Sequence, residues 1–151
     1  MTFFTYSTVI PAPVQTVFAF HESARALERL LPPWQDVRVV RKQGGLEPGS
    51  RVELELRLGP FRQAWVARHT GYQRDVFFSD IQEKGPFRIW NHRHEFAPAG
   101  PAACRLTDRI EFSLPGGALI DWLAGWAVKL QLRRMFAYRH AATLAACLES
   151  A

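Results

Sequence analysis

Several patterns that would restrict the function of this chain are scarce or missing. Its 151 residues include two cysteines, Cys104 and Cys147, whose separation fits no zinc or redox motif. So few thiols at such a spacing indicate a reducing compartment. The chain also lacks a Ser-His-Asp order, a Gly-rich phosphate loop and a zinc-binding spacing. These absences exclude the enzymes that carry well-known motifs, but not one that needs only a shaped pocket and a few polar groups.

A long apolar run is missing too. The most apolar segment, residues 118–148, is interrupted by Asp121, Lys129, Arg133 and Arg134 before the ~20 apolar residues of a membrane span accumulate. The N-terminal sequence MTFFTYSTVIPAP has no basic region followed by an apolar one, so no signal peptide is expected. We therefore expect a cytoplasmic protein without a membrane span.

Acidic residues are fewer than basic ones, 14 against 19, which gives a formal net charge of +5. The basic residues are spread along the chain rather than clustered, so a solvated basic surface is favoured over a nucleic-acid site. The hydrophobic fraction of 48% is that of a globular protein, and the length suits one domain over residues 1–151. Eleven phenylalanines and five tryptophans could fill its core or line a pocket.

Periodicity and turn residues predict an α+β domain with an antiparallel sheet and its helices on one face. A strand over 2–10 precedes two short helices, 14–20 and a second that runs to Leu31 with Ser23 as its N-cap. A meander of six strands follows, and Pro115-Gly116-Gly117 separates it from a long helix. The six predicted strands cover residues 36–41, 52–58, 61–72, 76–82, 88–96 and 105–114.

The long helix, 118–148, is the element around which the rest is expected to wrap. Placing its residues at ~100° intervals predicts one apolar face toward the sheet, with Arg133 near its centre and His140 at its edge. The other side then carries Asp121, Gln131 and Arg139, together with a smaller apolar patch that is a candidate dimer face. The predicted sheet-facing residues are Leu119, Trp122, Leu123, Trp126, Leu130, Ala137, Ala141, Leu144 and Leu148, and the patch consists of Val128, Leu132, Met135 and Phe136.

Alternation along the strands assigns the residues that face the helix. The Gly59-Pro60 turn places Leu58 opposite Phe61, and a tight turn at Gln73-Arg74 pairs His69 with Phe78 and Ala67 with Asp80. The inward set is Leu54, Leu56, Gln63, Trp65, Ala67, His69, Phe78, Asp80, Gln82, Trp90, His92, His94, Phe96, Leu106, Asp108, Ile110 and Phe112.

This interior contains an unusual number of polar residues. If the loop over 97–102 allows it, His94 lies directly opposite Asp108, which would raise the pKa of the histidine and lower that of the aspartate. His92 and His94 share one face of a strand, so with Asp108 they could bind a metal, form a buried hydrogen-bond network, or recognise a ligand and exchange protons with it. No third histidine is fixed nearby and sulfur ligands are absent, so no metal and no other cofactor is predicted.

The other large side chains have two interpretations each. Arg133 could be paired with a buried carboxylate, extend past the sheet edge, or anchor a ligand carboxylate. The tryptophans at 65, 90, 122 and 126 could belong to the core or to a ligand cavity. Trp34, in a loop after Pro32-Pro33, could form part of a lid.

Several local strings resemble the SRPBCC proteins, also called START-like or polyketide cyclase/dehydrase-like domains. They are Ile10-Pro11-Ala12-Pro13, Val17 to His21, Leu31 to Trp34, Gly85-Pro86-Phe87 with Trp90, His92, His94 and Phe96, Thr107-Asp108-Arg109, and Phe136 to His140. The resemblance covers nearly the whole chain. It implies the helix-grip fold, a curved seven-stranded antiparallel sheet around a long C-terminal helix, and a superfamily that includes lipid and sterol carriers, hormone receptors and aromatase/cyclases.

The predicted function is the binding of one hydrophobic or amphipathic small molecule, for example a lipid, in a cavity between the sheet and the helix. Two alternatives remain open: a cyclase/dehydrase-type enzyme with His92, His94 and Asp108 as its acid–base groups, and an interaction or assembly domain without a small ligand. A monomer or weak homodimer is expected. The predicted ligand-binding residues are Trp65, His69, Phe78, Asp80, Trp90, His92, His94, Asp108, Trp122, Trp126 and Arg133.

Overall fold

The computed structural model describes residues 1–150 and contains the predicted elements in the predicted order. Ser23, expected to cap the second helix, instead donates its hydroxyl to the carbonyl oxygen of Phe20 at the end of the first helix, 2.7 Å away. The elements are β1 Thr2–Ile10, α1 Val14–Glu22, α2 Ala26–Leu30, β2 Val37–Gln43, β3 Arg51–Leu58, β4 Phe61–Gln73, β5 Phe77–Lys84, β6 Ile89–Pro98, β7 Cys104–Ser113 and α3 Ala118–Glu149.

The seven strands form one antiparallel sheet in the order β1-β7-β6-β5-β4-β3-β2. The meander from β2 to β7 pairs each strand with the next, and β7 then pairs with β1. In β3, Val52, Leu54 and Leu56 alternate with charged residues, as expected for a strand with one face toward the interior. Leu58 pairs with Phe61 across the Gly59-Pro60 turn, as predicted. The predicted α+β class and seven-stranded sheet are confirmed.

The predicted pairing of β4 with β5 is wrong. His69 pairs with Asp80 and Ala67 with Gln82, because the hairpin turn occupies residues 74–76 and β4 contains one extra residue near Thr70. Asp75 occupies the left-handed region at φ 60°, which aspartate tolerates better than most residues. The longer turn shifts the partners by three positions and the extra residue shifts them back by one, so the net shift of two keeps the predicted inward face.

The predicted sheet-facing side of α3 is also wrong. Trp122 and Trp126 are 78% and 64% exposed, and Arg133 lies in solvent with them. The face that packs on the sheet is the opposite one, which includes the Phe136 patch predicted as a dimer face. Its buried residues are Asp121, Gly125, Leu132, Phe136, His140, Thr143, Ala146 and Cys147. Gly125 permits this close approach, since a β-carbon there would lie 3.3 Å from the Thr2 hydroxyl oxygen.

The core consists of two clusters on the concave side of the sheet. The first surrounds Phe18 of α1 and includes Phe78, Phe96 and Leu106. The second surrounds Phe136 of α3 and includes Phe4, Trp90, Ile110, Phe112 and Leu132. The helix α3 packs mainly against β1, with fewer contacts to β7. The concave side of β3, β4 and β5 is therefore only partly covered, and Leu54, Leu56, Trp65 and Ala67 on it are half-buried.

No helix within residues 1–150 is both long enough and apolar enough to cross a membrane.

Candidate functional site

The centre of the polar interior is Asp108 on β7, which is 3% exposed. It pairs across strands with His94 of β6 on one side and Tyr6 of β1 on the other. The predicted pairing of His94 with Asp108 is confirmed, because the connection between β6 and β7 closes without changing the register. Both side chains point to the concave face, where α1 and α3 enclose them.

Three imidazoles surround the Asp108 carboxylate. Oδ1 lies 2.8 Å from His92 Nε2 and 2.7 Å from His94 Nδ1, while Oδ2 accepts from His140 Nε2 at 2.7 Å. The other ring nitrogen of His140 lies 2.6 Å from the hydroxyl of Thr8 on β1. This network joins β1, β6, β7 and α3 at one carboxylate.

A second carboxylate approaches the same imidazoles from β5. Asp80 Oδ2 lies 3.5 Å from His94 Nε2 and 4.0 Å from His92 Nδ1. The His94 ring is therefore held between Asp80 and Asp108, and it also stacks on Phe78 with ring centroids 4.0 Å apart. A cationic imidazole at this position is attracted by carboxylates on both sides.

The remaining two histidines of the chain lie beside this group. His69 is the cross-strand neighbour of Asp80, and the Nδ1 atom of its buried ring has no hydrogen-bond partner among the described residues. His21 enters from α1, donates Nδ1–H to the carbonyl oxygen of Val17 at 2.9 Å, and lies with its ring centroid 6.4 Å from that of His94. All five histidines of the sequence thus converge on one region.

Sequence reasoning missed His21 and placed His140 only at the edge of a helix face. A usable signal for His140 was present, since Asp121, Gly125, Phe136 and His140 fall on one helical face. A signal for His21 was also present, because Val14, Val17, Phe18 and His21 have the i, i+3, i+4, i+7 spacing of one helix face, but the predicted helix ended at residue 20.

The two carboxylates favour ionisation despite their burial. Burial alone would raise the pKa of Asp108, but the charge of His94 and the hydrogen bonds of the three imidazoles hold that pKa well below its usual value. For Asp80, burial is likewise outweighed by the hydrogen bond from His94 and the charges of the neighbouring imidazoles, which lower its pKa.

Among the histidines whose pKa is shifted, His94 binds its proton more tightly than a free imidazole and the others bind theirs less tightly. Burial opposes a charge on His94, but Asp108 and then Asp80 raise its pKa to about 9. Burial lowers the pKa of His21 to about 4, and burial is also the largest cause of the lowered pKa values of His69 and His92. At neutral pH His94 is therefore an imidazolium held between two carboxylates.

The inward cation of α3 is Arg139, not Arg133. Arg139, expected on the far side of the helix, is half-buried, and its guanidinium lies 5.3 Å from the centroid of the Phe136 ring. Its Nε atom is buried without a hydrogen-bond partner among residues 1–150. Burial lowers the pKa of Arg139, while the charges of Asp108 and Asp80 oppose that effect.

The predicted ligand-binding residues separate into two groups. Trp65 and Trp90 contact each other at right angles, with ring centroids 5.1 Å apart, on the concave face near the polar cluster. The three helix residues of the prediction, Trp122, Trp126 and Arg133, are exposed on the outer side of α3 and do not reach this region. Those that the structure brings to the concave face are Trp65, His69, Phe78, Asp80, Trp90, His92, His94 and Asp108.

Trp34, considered as part of a lid, packs on α3. Its ring lies 5.4 Å from that of Tyr138 and 4.3 Å from the guanidinium of Arg134, measured between the ring centroid and Cζ. These contacts hold the loop against the outer part of the helix rather than over the concave face.

The open part of the concave face forms what we call the concave groove, lined by Leu54, Leu56, Trp65, Asp80 and Gln82, all half-buried. Its position follows from the placement of α3 over β1, which leaves the middle strands uncovered. A separate concavity of about 430 Å³ lies on the outer face of the sheet, with Thr70, Ser79, Asn91, Arg93 and Arg109 in its lining. The half-buried side chains of the concave groove therefore lie beside the buried polar cluster.

The comparisons with known proteins agree with this architecture. Residues 10–137 match the family model described as "Polyketide cyclase / dehydrase and lipid transport". No curated protein matches the sequence. Among solved structures, norcoclaurine synthase from Thalictrum flavum is 12% identical, with a TM-score of 0.75, covering 98% of this chain and 87% of its own.

Two further structures have the same fold. The aromatase/cyclase ZhuI from Streptomyces sp. R1128 is 14% identical, with a TM-score of 0.65 over 99% of this chain and 92% of its own. A START superfamily protein from Mycobacterium smegmatis is 12% identical, with a TM-score of 0.69 over 99% of both chains. At these identities the structural matches establish the helix-grip fold, while the family model covers most of the sequence. The chain therefore belongs to the polyketide cyclase/dehydrase and lipid transport family.

Proposed function

We propose that this protein binds a hydrophobic or amphipathic small molecule in the concave groove, with the polar part of the molecule toward Asp80 and His94. The observation that supports this most directly is the row of half-buried apolar side chains on β3 and β4 that α3 leaves uncovered. Apolar surface next to a few convergent polar groups is the usual composition of a small-molecule site. Family membership supports a ligand-binding or cyclase role at this coarser level.

An unpaired donor favours a ligand with a polar end. Arg139 lies close enough to Asp108 and Asp80 to feel their charges, and its Nε atom lacks a protein partner within residues 1–150. A ligand oxygen would supply the missing acceptor, and an unpaired buried donor costs about 1–3 kcal/mol. Trp65 provides the apolar wall against which the remainder of such a molecule would pack.

The test is the capture of a ligand by the purified protein, read by native mass spectrometry and by titration with 1-anilinonaphthalene-8-sulfonate. We expect Trp65→Ala to weaken binding of this probe about ten-fold, because the substitution removes the main aromatic surface of the groove. Trp122→Ala is the matched control, since Trp122 is exposed on the other side of α3. The proposal would be overturned if the affinity for the probe fell in Trp122→Ala but not in Trp65→Ala.

A second candidate function is catalysis by the same site. It is favoured by the placement of His92 and His94 against Asp108 at the floor of the groove, within reach of a bound carbonyl compound. Two proteins of this fold are an aromatase/cyclase and norcoclaurine synthase. Incubation with a poly-β-carbonyl substrate, with His94→Gln and Asp108→Asn as variants, would separate the two functions. Turnover lost in both variants while the substrate still binds indicates an enzyme, and substrate recovered unchanged from the wild-type protein indicates a binding protein.

A further inference from the structure

Three possible ligand atoms for a metal ion converge at the open side of the polar cluster. They are Asp80 Oδ2, His92 Nδ1 and His94 Nε2, and all lie within 4.8 Å of one another. The Asp80 oxygen is 3.5 Å from His94 Nε2 and 4.0 Å from His92 Nδ1. In a tetrahedral site with bonds near 2.0–2.1 Å, ligand atoms lie roughly 3.3 Å apart. A movement of about 1 Å or less per side chain would therefore complete this part of a coordination shell.

Asp108 determines which ring nitrogens face this point. Because His92 Nε2 and His94 Nδ1 lie at hydrogen-bonding distance from Asp108 Oδ1, the nitrogens available to an ion are His92 Nδ1 and His94 Nε2, and the ion would displace the proton that His94 Nε2 shares with Asp80. Both of these face Asp80. A carboxylate bonded to the far nitrogen of a ligating imidazole is the usual outer partner of a metal-binding histidine, since it fixes the ring and increases its basicity.

Charge and burial favour a cation at this point. Asp80 and Asp108 place two carboxylates in the interior, and a divalent ion that displaces the His94 proton would neutralise both. The side chains of Asp80 and His94 are each 13% exposed, so the point is enclosed but can be reached from the concave groove. Next to Asp80 lies His69, 6% exposed, whose Nδ1 has no partner among the described residues.

The sequence-based argument against a metal was that no third histidine lies nearby. The fold removes that objection, because the strand pairing brings His69 beside Asp80 and α3 brings His140 to Asp108. His140 then acts as a positioning residue that holds the carboxylate against the other two imidazoles.

We propose that Asp80, His92 and His94 form a binding site for a divalent transition-metal ion such as Zn²⁺ or Fe²⁺. Imidazole nitrogens with one carboxylate are ligands suited to these ions, and the two-histidine, one-carboxylate set leaves coordination positions open. Those positions face the concave groove, where water or an oxygen of a bound molecule would complete the coordination. The inference does not require the proposed organic ligand, since the three protein ligands are present without it.

The test uses Zn²⁺ alone, titrated calorimetrically at neutral pH into the full-length protein after treatment with a chelator. Bound metal is then counted by mass spectrometry after gel filtration. We expect one equivalent to bind to the wild-type protein. Asp80→Asn and His92→Gln should each weaken binding well over ten-fold, and Asp108→Asn, which leaves all three ligands in place, about 10–100-fold. Co²⁺ in place of Zn²⁺ should give visible absorption bands that Asp80→Asn abolishes.

His21→Gln is the matched control. It removes one imidazole from the same interior, but His21 is bonded to Val17 and is not among the three ligands. Its affinity for Zn²⁺ should stay within about two-fold of wild type, a change small beside the effect expected at a ligand. Circular dichroism and thermal melting identify variants that remain folded, and Asp80→Asn, at a more exposed position than His92, decides the outcome if His92→Gln does not fold. Failure of the wild-type protein to retain Zn²⁺, or binding unchanged in Asp80→Asn, overturns the proposal.

Discussion

At the scale of single residues, the Asp108 carboxylate is the group on which the interior network depends. In Asp108→Asn the side chain keeps its shape, but it loses its charge and directs an amide donor at a histidine N–H. We expect the free energy of unfolding to fall by about 3 kcal/mol or more, as for other buried, hydrogen-bonded charges whose partners are left unpaired. Urea denaturation measures the change. Exposed Asp36→Asn should change it by less than about 0.5 kcal/mol, and an equally small effect at Asp108 would contradict the prediction.

His94 makes stability depend on pH in the alkaline direction. Its pKa is about 9 in the folded protein against 6.5 for a free imidazole. Because the folded state binds the proton more tightly, this contribution is fully present below pH 6.5 and is lost as the pH rises through 9. In metal-free buffer the loss should be on the order of 3 kcal/mol. Urea unfolding at several pH values measures this loss. In His94→Gln the free energy of unfolding should fall less steeply as the pH rises through the alkaline range.

His21 provides the control of opposite sign. Its folded pKa of about 4 lies below the free value of 6.5, so stability falls as the pH drops through this interval. In His21→Gln the free energy of unfolding should fall less steeply at acidic pH, and its dependence on alkaline pH should be unchanged. An alkaline limb identical in wild type and His94→Gln would show that His94 does not hold its proton between the two carboxylates.

At the scale of elements, α3 has apolar residues on both faces, and only one of them packs on the sheet. Phe136 is 1% exposed and contacts Phe4 and His92, whereas Trp126 is 64% exposed. Phe136→Ala should therefore lower the free energy of unfolding by about 3–5 kcal/mol. Trp126→Ala should change it by less than about 1 kcal/mol. Chemical denaturation of the two variants checks this, and comparable losses would mean that the helix packs through its tryptophan face.

The same element explains why sequence reasoning found the sheet but not the helix orientation. Alternation with period two and recognisable turns determine which strand residues face inward, and this was sufficient to pair His94 with Asp108. On α3 the tryptophans and leucines form the more hydrophobic stripe, so periodicity favoured the wrong side. The face that packs contains Gly125, His140 and Asp121, whose roles depend on partners from β1, β7 and the chain's first residue.

The β4–β5 hairpin shows a second limit. The inward face of Asp80 was predicted correctly, but its partner was not, because the turn is longer than predicted and β4 contains a bulge near Thr70 that no local pattern indicates. The candidate site, too, was predicted only in part, because local patterns do not determine every tertiary contact. Residues that lie on strands were identified, whereas His21, His140 and Arg139 come from helices whose orientation depends on tertiary packing.

At the scale of the whole molecule, the helices cover the sheet unevenly. Strands β6 and β7, next to β1, lie under α1 and α3, while β2 is an edge strand with mostly exposed side chains. Amide hydrogen exchange should therefore be slowest in β6 and β7 and fastest in β2, since local opening is easiest where few buried contacts hold a strand. Exchange measured by mass spectrometry on peptides tests this, and equal protection in β2 and β7 would contradict the uneven coverage.

The convergence of all five histidines has a practical consequence for spectroscopy. In most proteins the imidazole signals come from unrelated surface positions, and a selective label is needed to study one site. Here every histidine ring proton in a nuclear magnetic resonance spectrum reports on the same interior region, so the unlabelled protein already carries a local reporter. Addition of an organic ligand or a diamagnetic ion such as Zn²⁺ would be visible in that small set of resonances, without a background from histidines elsewhere.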